Sequence, residues 1–181
     1  MLIGICGKSG TGKSSIVKEM QKLGYKKVIT DTTRPPRVGE ENGVDYYFDT
    51  NEEFDEILND GNFIEVTSYT VANGELWRYG TSRVQLQEAG ENAVIILNPD
   101  GVKAFREQVI PITIVYVESN EDIILRRLKL RGDSVDEIER RMKADNEDFA
   151  DISEYTDITV FNEALTNLKD LAKVIITLAE D

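Results

Sequence analysis

The chain has 181 residues, enough for one domain with small inserted lobes and for a core that needs neither disulfide nor metal. A net charge of −13 argues against general affinity for nucleic acid or anionic membranes, but it leaves room for a local cationic pocket that takes a small anion. Histidine is absent and Cys6 is the only cysteine, which excludes histidine triads and bases, a thiolate metal cluster and an intrachain disulfide. There is no long apolar segment and no signal-peptide pattern, so a cytoplasmic protein is expected.

The first element is "LIGIC", an apolar run that reads as a buried strand with Cys6 in the core. "GKSGTGKSS" follows, Gly7 to Ser15, and a helix is expected from Ser14 to Leu23, ended by Gly24. Gly7, Gly12, Lys13 and Ser14 fit the spacing G-x-x-x-x-G-K-[ST]. Glycines let successive backbone N–H groups turn toward phosphate oxygens where a Cβ would clash. A lysine at this position carries charge to the β- and γ-phosphates, the Ser14 hydroxyl suits Mg²⁺, and the helix N-terminus adds its partial positive charge. The motif lies between a predicted strand and a predicted helix, the context it requires. The stretch Gly7, Lys8, Ser9, Gly10, Thr11, Gly12, Lys13, Ser14 and Ser15 is therefore a candidate ATP site with Mg²⁺ as cofactor. The motif alone does not separate kinases from hydrolases or switches.

"KKVIT" reads as a second strand. The alternation of strand and helix then breaks between residues 31 and 80. This stretch holds "TTRPPRVGEENGVDYYF", a short helix "NEEFDEILND", strand-like "FIEVTSY" and an Asn73-Gly74 hairpin signal. It reads as a small α+β lobe inserted between 1–30 and 81–181. The Pro35-Pro36 pair stiffens a loop that carries Arg34 and Arg37, whose guanidinium forks suit phosphate oxygens. Alone, two such arginines read as solvated surface. Tyr46 and Tyr79 in the same lobe add phenolic donors and point to an acceptor phosphate pocket.

The core rhythm resumes with a helix from near Thr81, the strand "NAVIILN", a helix from Asp100 and the strand "ITIVYV". Two helices, "NEDIILRRLKLR" and "SVDEIERRMKADNEDF", flank Gly132-Asp133. The strand "DITVF" and a C-terminal amphipathic helix close the chain. The expected class is α/β, a P-loop NTPase-type parallel sheet flanked by helices, with the inserted lobe and a short helical lid at about 126–145.

The segments "GKSGTGKSS", "TTRPPRVGEENGVDYYF", "FIE", "YGTS", "RLKLRG" and "EIERRM" stand in the order and spacing of the guanylate kinase family, which the chain resembles over nearly its whole length. The resemblance implies a P-loop nucleoside monophosphate kinase that transfers the γ-phosphoryl group of ATP to GMP or dGMP, as a monomer or homodimer. It carries the acceptor-phosphate arginines onto Arg34 and Arg37 and the phosphate-binding tyrosines onto Tyr46 and Tyr79. Glu65 takes the place of the guanine-reading glutamate, since one carboxylate can accept from both N1–H and the N2 amino group. Thr30 or Thr32 offers a hydroxyl to guanine O6. Thr81 aligns with another family contact, although it reads equally well as the cap of the next helix. Arg131 and Arg141 match the catalytic lid arginines, to act with Lys13 and Arg37.

Two departures stand out. The family usually carries "D-x-D-x-x-G" at the end of its third core strand, and here Ile96 and Asn98 replace the two aspartates. Asn98 retains hydrogen bonding without charge, which bears on base choice and metal binding. The segment between "FIE" and "YGTS" also carries the extra "VANGELWR", whose Trp77 covers the lobe or packs on the sugar side of the pocket. Other readings are a related kinase with a different nucleoside monophosphate, a non-catalytic module of the same fold, against which Lys13 argues, and an ATPase switch, against which the acceptor arginines argue.

Overall fold

The computed structural model describes residues 1–71 and 74–180. Among these residues two sheets form. The first has strand order β2-β7-β1-β8-β9, all parallel, from β1 (Leu2–Cys6), β2 (Lys26–Lys27), β7 (Ala93–Ile96), β8 (Thr113–Glu118) and β9 (Ile158–Phe161). Its central strands are apolar on both faces because helices cover both sides. On one side Ile3, Ile5, Val94 and Val115 pack against Ile16, Val17 and Met20 of α1 (Lys13–Lys22) and Ala172 and Ile175 of α7 (Leu168–Glu180). On the other, Cys6, Ile95 and Ile114 meet Val102 and Phe105 of α4 (Pro99–Glu107). Cys6 is fully buried, and burial pushes its thiol up to about 12. Among the described residues no helix is long and apolar enough to cross a membrane.

The second sheet, order β4-β3-β6-β5, is built from β3 (Asp31–Thr32), β4 (Tyr47–Phe48), β5 (Phe63–Thr70) and β6 (Leu76–Ser82), with α2 (Asn51–Asn59) beside it. β5 and β6 pair antiparallel from Phe63↔Ser82 to Thr70↔Leu76. The expected hairpin signal falls on Asn73, which lies outside the described residues. The expected second core strand, "KKVIT", pairs only at Lys26 and Lys27. Val28 N–H still bonds Val94 O, but the chain then crosses to the second sheet, where Asp31 and Thr32 pair with Gly80 and Tyr79.

Helix starts follow capping chemistry. Thr50 and Ser82 close capping boxes at α2 and α3 (Arg83–Ala89), and Asn98 and Ser134 accept first-turn N–H groups of α4 and α6 (Val135–Asp148). Each such cap stabilises its helix by about 1 kcal/mol. Thr81, a candidate cap in the sequence, is therefore not one; Ser82 takes that role. α5 (Glu121–Arg131) ends at Gly132 in the left-handed region, which turns the chain into α6.

A buried carboxyl pair sits where the chain passes between the sheets. Asp31 Oδ2 accepts from Gln85 Nε2 of α3 at 2.5 Å, and Asp49 Oδ2 is buried with no donor among the described residues. The two carboxyls interact with each other, so protonation of one would give the other a donor. Burial, with Asp49 adjacent, pushes Asp31 up to about 7, and burial with Glu53 nearby raises Asp49 to about 6. A carboxyl whose folded pKa is raised binds its proton more tightly folded than unfolded, so its contribution to stability is greatest at low pH and falls as pH rises from about 4 through about 7. Asp31→Asn should melt close to the parent near pH 4 and several degrees above it near pH 8. Melting curves across that range check this; a gap that does not widen with pH would show that Asp31 does not bind its proton more tightly in the folded chain.

Candidate active site

α1 begins without a side-chain cap. Its N-cap is Gly12, at φ 93°, and no acidic residue stands in its first turn, so its leading N–H groups are free for an anion. A Cβ at Gly12 would come within 2.4 Å of Asn162 Nδ2, and one at Gly7 within 2.4 Å of the Val117 carbonyl oxygen, so both positions accept only glycine. The Lys13 ammonium lies back along the loop, donating to Gly7 O at 2.6 Å and Lys8 O at 3.0 Å. Burial lowers it to about 8; Asp145 pulls it back up, while Arg131 and Arg141 push it further down.

A cavity of about 670 Å³ runs along this loop. Ser9, Gly10, Gly12, Lys13, Ser14 and Ser15 line one side, and Arg34, Arg37, Tyr46, Tyr79, Arg131 and Arg141 line the other. The sequence-predicted phosphate groups are thus gathered into one space. Lys8 and Thr11 stand apart from it: Lys8 Nζ donates to Asn146 Oδ1 at 2.6 Å, and the buried Thr11 hydroxyl turns back to Lys8 O. Arg127 and Asn162 also line this cavity; Arg127 is one of the arginines of the expected lid region, and Asn162 carries no motif signal. Arg127 donates to Gly10 O, Thr11 O and Asn162 O, while Asn162 donates to Thr11 O at 2.7 Å. The Asn162 Oδ1 is buried without a donor among the described residues.

The arginines are held differently from one another. Arg34 is 2% exposed and forks onto Glu40, at 2.8 Å and 3.0 Å, with its guanidinium over the Tyr46 ring. It is therefore a buried, oriented group rather than a solvated one. Arg37 is half-exposed, and burial, then Arg34, Arg131 and Arg141, hold it below its ordinary value. Such mutual repulsion among cations is relieved by an anion placed between them. On α6, Glu137 accepts from both Arg140 and Arg141 and is held down to about 2 by those bonds. Arg131 pairs with Asp133.

A second cavity, about 220 Å³, adjoins the first through Ser9, Lys13, Tyr46, Tyr79 and Arg141. Thr30, Glu65, Thr81, Asn98 and Trp77 line it, together with Tyr69, another residue without a sequence signal. Glu65 sits on β5, where Thr81 of the paired strand donates to its Oε1 at 2.6 Å and Thr67 lies 3.4 Å from its Oε2. Burial raises its pKa, and the two hydroxyls oppose that. Thr32 is fully buried; its hydroxyl donates to Arg78 O and accepts Arg34 N–H, so it does not reach this cavity. Of the two threonines, only Thr30 lines it. Asn98 Oδ1 is committed to capping α4 through Gly101 N–H at 2.7 Å, so any part it plays toward a base falls to its amide nitrogen. Trp77 lines the cavity wall and donates to Glu75 at 3.3 Å, which favours the packing role.

The guanylate kinase family model matches residues 1–178. The chain belongs to the guanylate kinase family. A guanylate kinase of Streptomyces coelicolor is 34% identical over 182 residues, covering 96% of this chain and 87% of the relative, and one of Streptomyces kasugaensis is 33% identical over 183 residues, covering 96% and 84%. A crystal structure of guanylate kinase from Anaplasma phagocytophilum superimposes with a TM-score of 0.74, covering 99% of this chain and 84% of that one at 20% identity, which supports the fold. The guanylate kinase family, its activity class of ATP:GMP phosphotransfer and the P-loop-type α/β fold expected from the sequence are borne out. Members of this family act on nucleotides and generally use Mg²⁺ with ATP.

Proposed function

We propose that this chain transfers the γ-phosphoryl group of ATP to GMP or dGMP across the junction of the two cavities. The observation that carries the reading is the convergence of Lys13, Arg34, Arg37, Arg131 and Arg141 on one cavity in a protein of net charge −13. Residues 31–80 serve as the acceptor lobe, 1–30 and 81–181 as the core, and about 126–145 as the lid.

ATP lies along Gly7–Ser15, with its triphosphate on the uncapped start of α1. The acceptor phosphate is held by Arg34, Arg37, Tyr46 and Tyr79, and guanine is read by Glu65, Thr81 and Thr30 in the adjoining cavity. An acceptor phosphate oxygen forms a bond to the γ-phosphorus as the bond to the β–γ bridging oxygen breaks. Lys13, Arg37, Arg131 and Arg141 stabilise the charge carried by the transferring group. The attacking oxygen is already anionic, so no general base is needed, in keeping with a chain without histidine. Ser14 is exposed in the cavity, its hydroxyl makes no hydrogen bond among the described residues, and no cluster of three acidic, histidine or cysteine groups able to hold a metal is found there. Ser14, with phosphate and water oxygens, would hold Mg²⁺, which would neutralise charge on the bound triphosphate. The strong acidity of the chain favours action without nucleic acid.

Arg37→Ala should weaken GMP by roughly ten- to a hundredfold, the loss of a charge-assisted contact, with little effect on ATP. Arg34→Ala should do the same and also lower the melting temperature, because it strands the Glu40 carboxylate. Steady-state kinetics in both substrates, with melting curves, check this. Equal losses for ATP and GMP would sink the acceptor role.

A further inference from the structure

The lid helix α6 carries an anion onto the phosphate loop. Asp145 Oδ2 accepts the Ser9 backbone N–H at 2.6 Å, the only side-chain hydrogen bond Asp145 makes among the described residues. On the next residue, Asn146 Oδ1 accepts from Lys8 Nζ at 2.6 Å. Asp145 forms no ion pair within 4 Å among the described residues, yet it stands close enough to Lys13 to be its strongest charge partner. It also lies one helical turn beyond Arg141, on the same face of α6. Ser9 and Lys13 line both the nucleotide cavity and the adjoining acceptor cavity, which places them where the phosphoryl group crosses.

We infer that Asp145 is a positioning residue that holds α6 on the phosphate loop through Ser9 N–H and yields that donor to the terminal phosphate of a nucleoside triphosphate. The inference rests on the reading of Gly7–Ser15 as the triphosphate site. A carboxylate and a γ-phosphate oxygen are both anions, and both seek the loop N–H and the Lys13 ammonium. They cannot share one donor at hydrogen-bond distance without close like-charge repulsion. A nucleoside diphosphate stops one phosphate short and leaves the Asp145–Ser9 bond intact. Asp145 therefore opposes ATP and not ADP, and it keeps Arg141 beside Lys13 once the terminal phosphate has gone to the acceptor. The helix is held at the loop by Asp145 with ADP bound and by the γ-phosphate with ATP bound.

The test is calorimetric binding of an imido-bridged, non-hydrolysable ATP analogue and of ADP, each with Mg²⁺, to the full chain and its Asp145→Ala and Asp145→Asn variants. Asp145→Ala should tighten the triphosphate roughly tenfold and leave ADP within about twofold, since one charge-assisted bond is removed from the competition. Asp145→Asn keeps an acceptor but loses the charge, so it should fall between parent and Asp145→Ala. A ratio of the two affinities that stays at the parent value, or equal weakening of both nucleotides, overturns the inference, the latter marking a residue that only shapes the loop. Lys13→Ala serves as the control. If Lys13→Ala still binds the analogue as the parent does, the triphosphate reading fails and the inference with it. If Lys13→Ala loses the analogue and the Asp145→Ala ratio does not move, the inference alone fails.

Discussion

Lys13→Ala should reduce turnover by at least about a hundredfold while leaving the melting temperature within a few degrees of the parent. The magnitude is that of removing one preorganised charge from a transferring phosphoryl group in a partly dry site. The fold survives because the lysine supports little of it: among the described residues its ammonium donates only to Gly7 O and Lys8 O, carbonyls of the same loop, and it belongs to no buried apolar cluster. Relief of cation crowding works the same way, since burial and the neighbouring arginines already hold Lys13 down to about 8. The measurement is a coupled ADP-release assay beside a thermal melt. Activity within tenfold of the parent would mean that the loop is not the nucleotide site. A collapse of the melt would mean that the ammonium holds the loop together.

The parallel core was legible because its strands announce themselves twice, as short apolar runs and as the partners of a rigidly spaced glycine loop. "LIGIC", "NAVIILN" and "ITIVYV" become β1, β7 and β8 for that reason. The second strand was overextended because apolar "VIT" continues past the point where the chain changes sheets, and that change is set by tertiary pairing of Asp31 and Thr32 with β6. At the site, residues fixed by a dense local motif were readable. Those brought in by folding alone were not: Asn162 and Tyr69 come from the end of β9 and from β5, and nothing in their neighbours points at a nucleotide, while Arg127 is one of five arginines at about 126–145 that residue type does not rank. Asp145 sits in "MKADNEDF", where three acidic residues look alike until α6 is laid against the loop. Asn98 carries a capping signal in the sequence itself. "NPDG" is a capping residue followed by Pro at the first helical position, and the structure uses it so, starting α4 at Pro99 rather than Asp100. Thr30 and Thr32 could not be told apart by residue type; the turn of β3 commits one hydroxyl to backbone and leaves the other at the cavity wall.

Glu65→Gln should lower kcat/KM for GMP by two orders of magnitude or more, with ATP affinity near the parent value. In the proposed complex one carboxylate accepts both N1–H and the N2 amino group of guanine. Gln keeps the shape and replaces one acceptor oxygen with an NH₂ group, which then points a donor at a donor. A buried mismatch of this kind leaves polar groups on both sides unpaired, and sites built around a hydrogen bond reject wrong partners strongly. The surroundings sharpen the effect. Thr81 donates to Oε1 at 2.6 Å, and Thr67 lies 3.4 Å from Oε2. The Gln carbonyl oxygen is therefore drawn to Thr81, and the amide nitrogen is turned toward the base. Adenine lacks that pair of donors, so AMP gains or loses little and the GMP-to-AMP ratio should shrink. Steady-state kinetics with GMP, dGMP, AMP, CMP and dTMP on parent and variant check this. A parent that prefers a non-guanine acceptor would replace GMP with that acceptor, and a variant that loses GMP and AMP alike would make Glu65 a support for the cavity wall rather than a reader of the base.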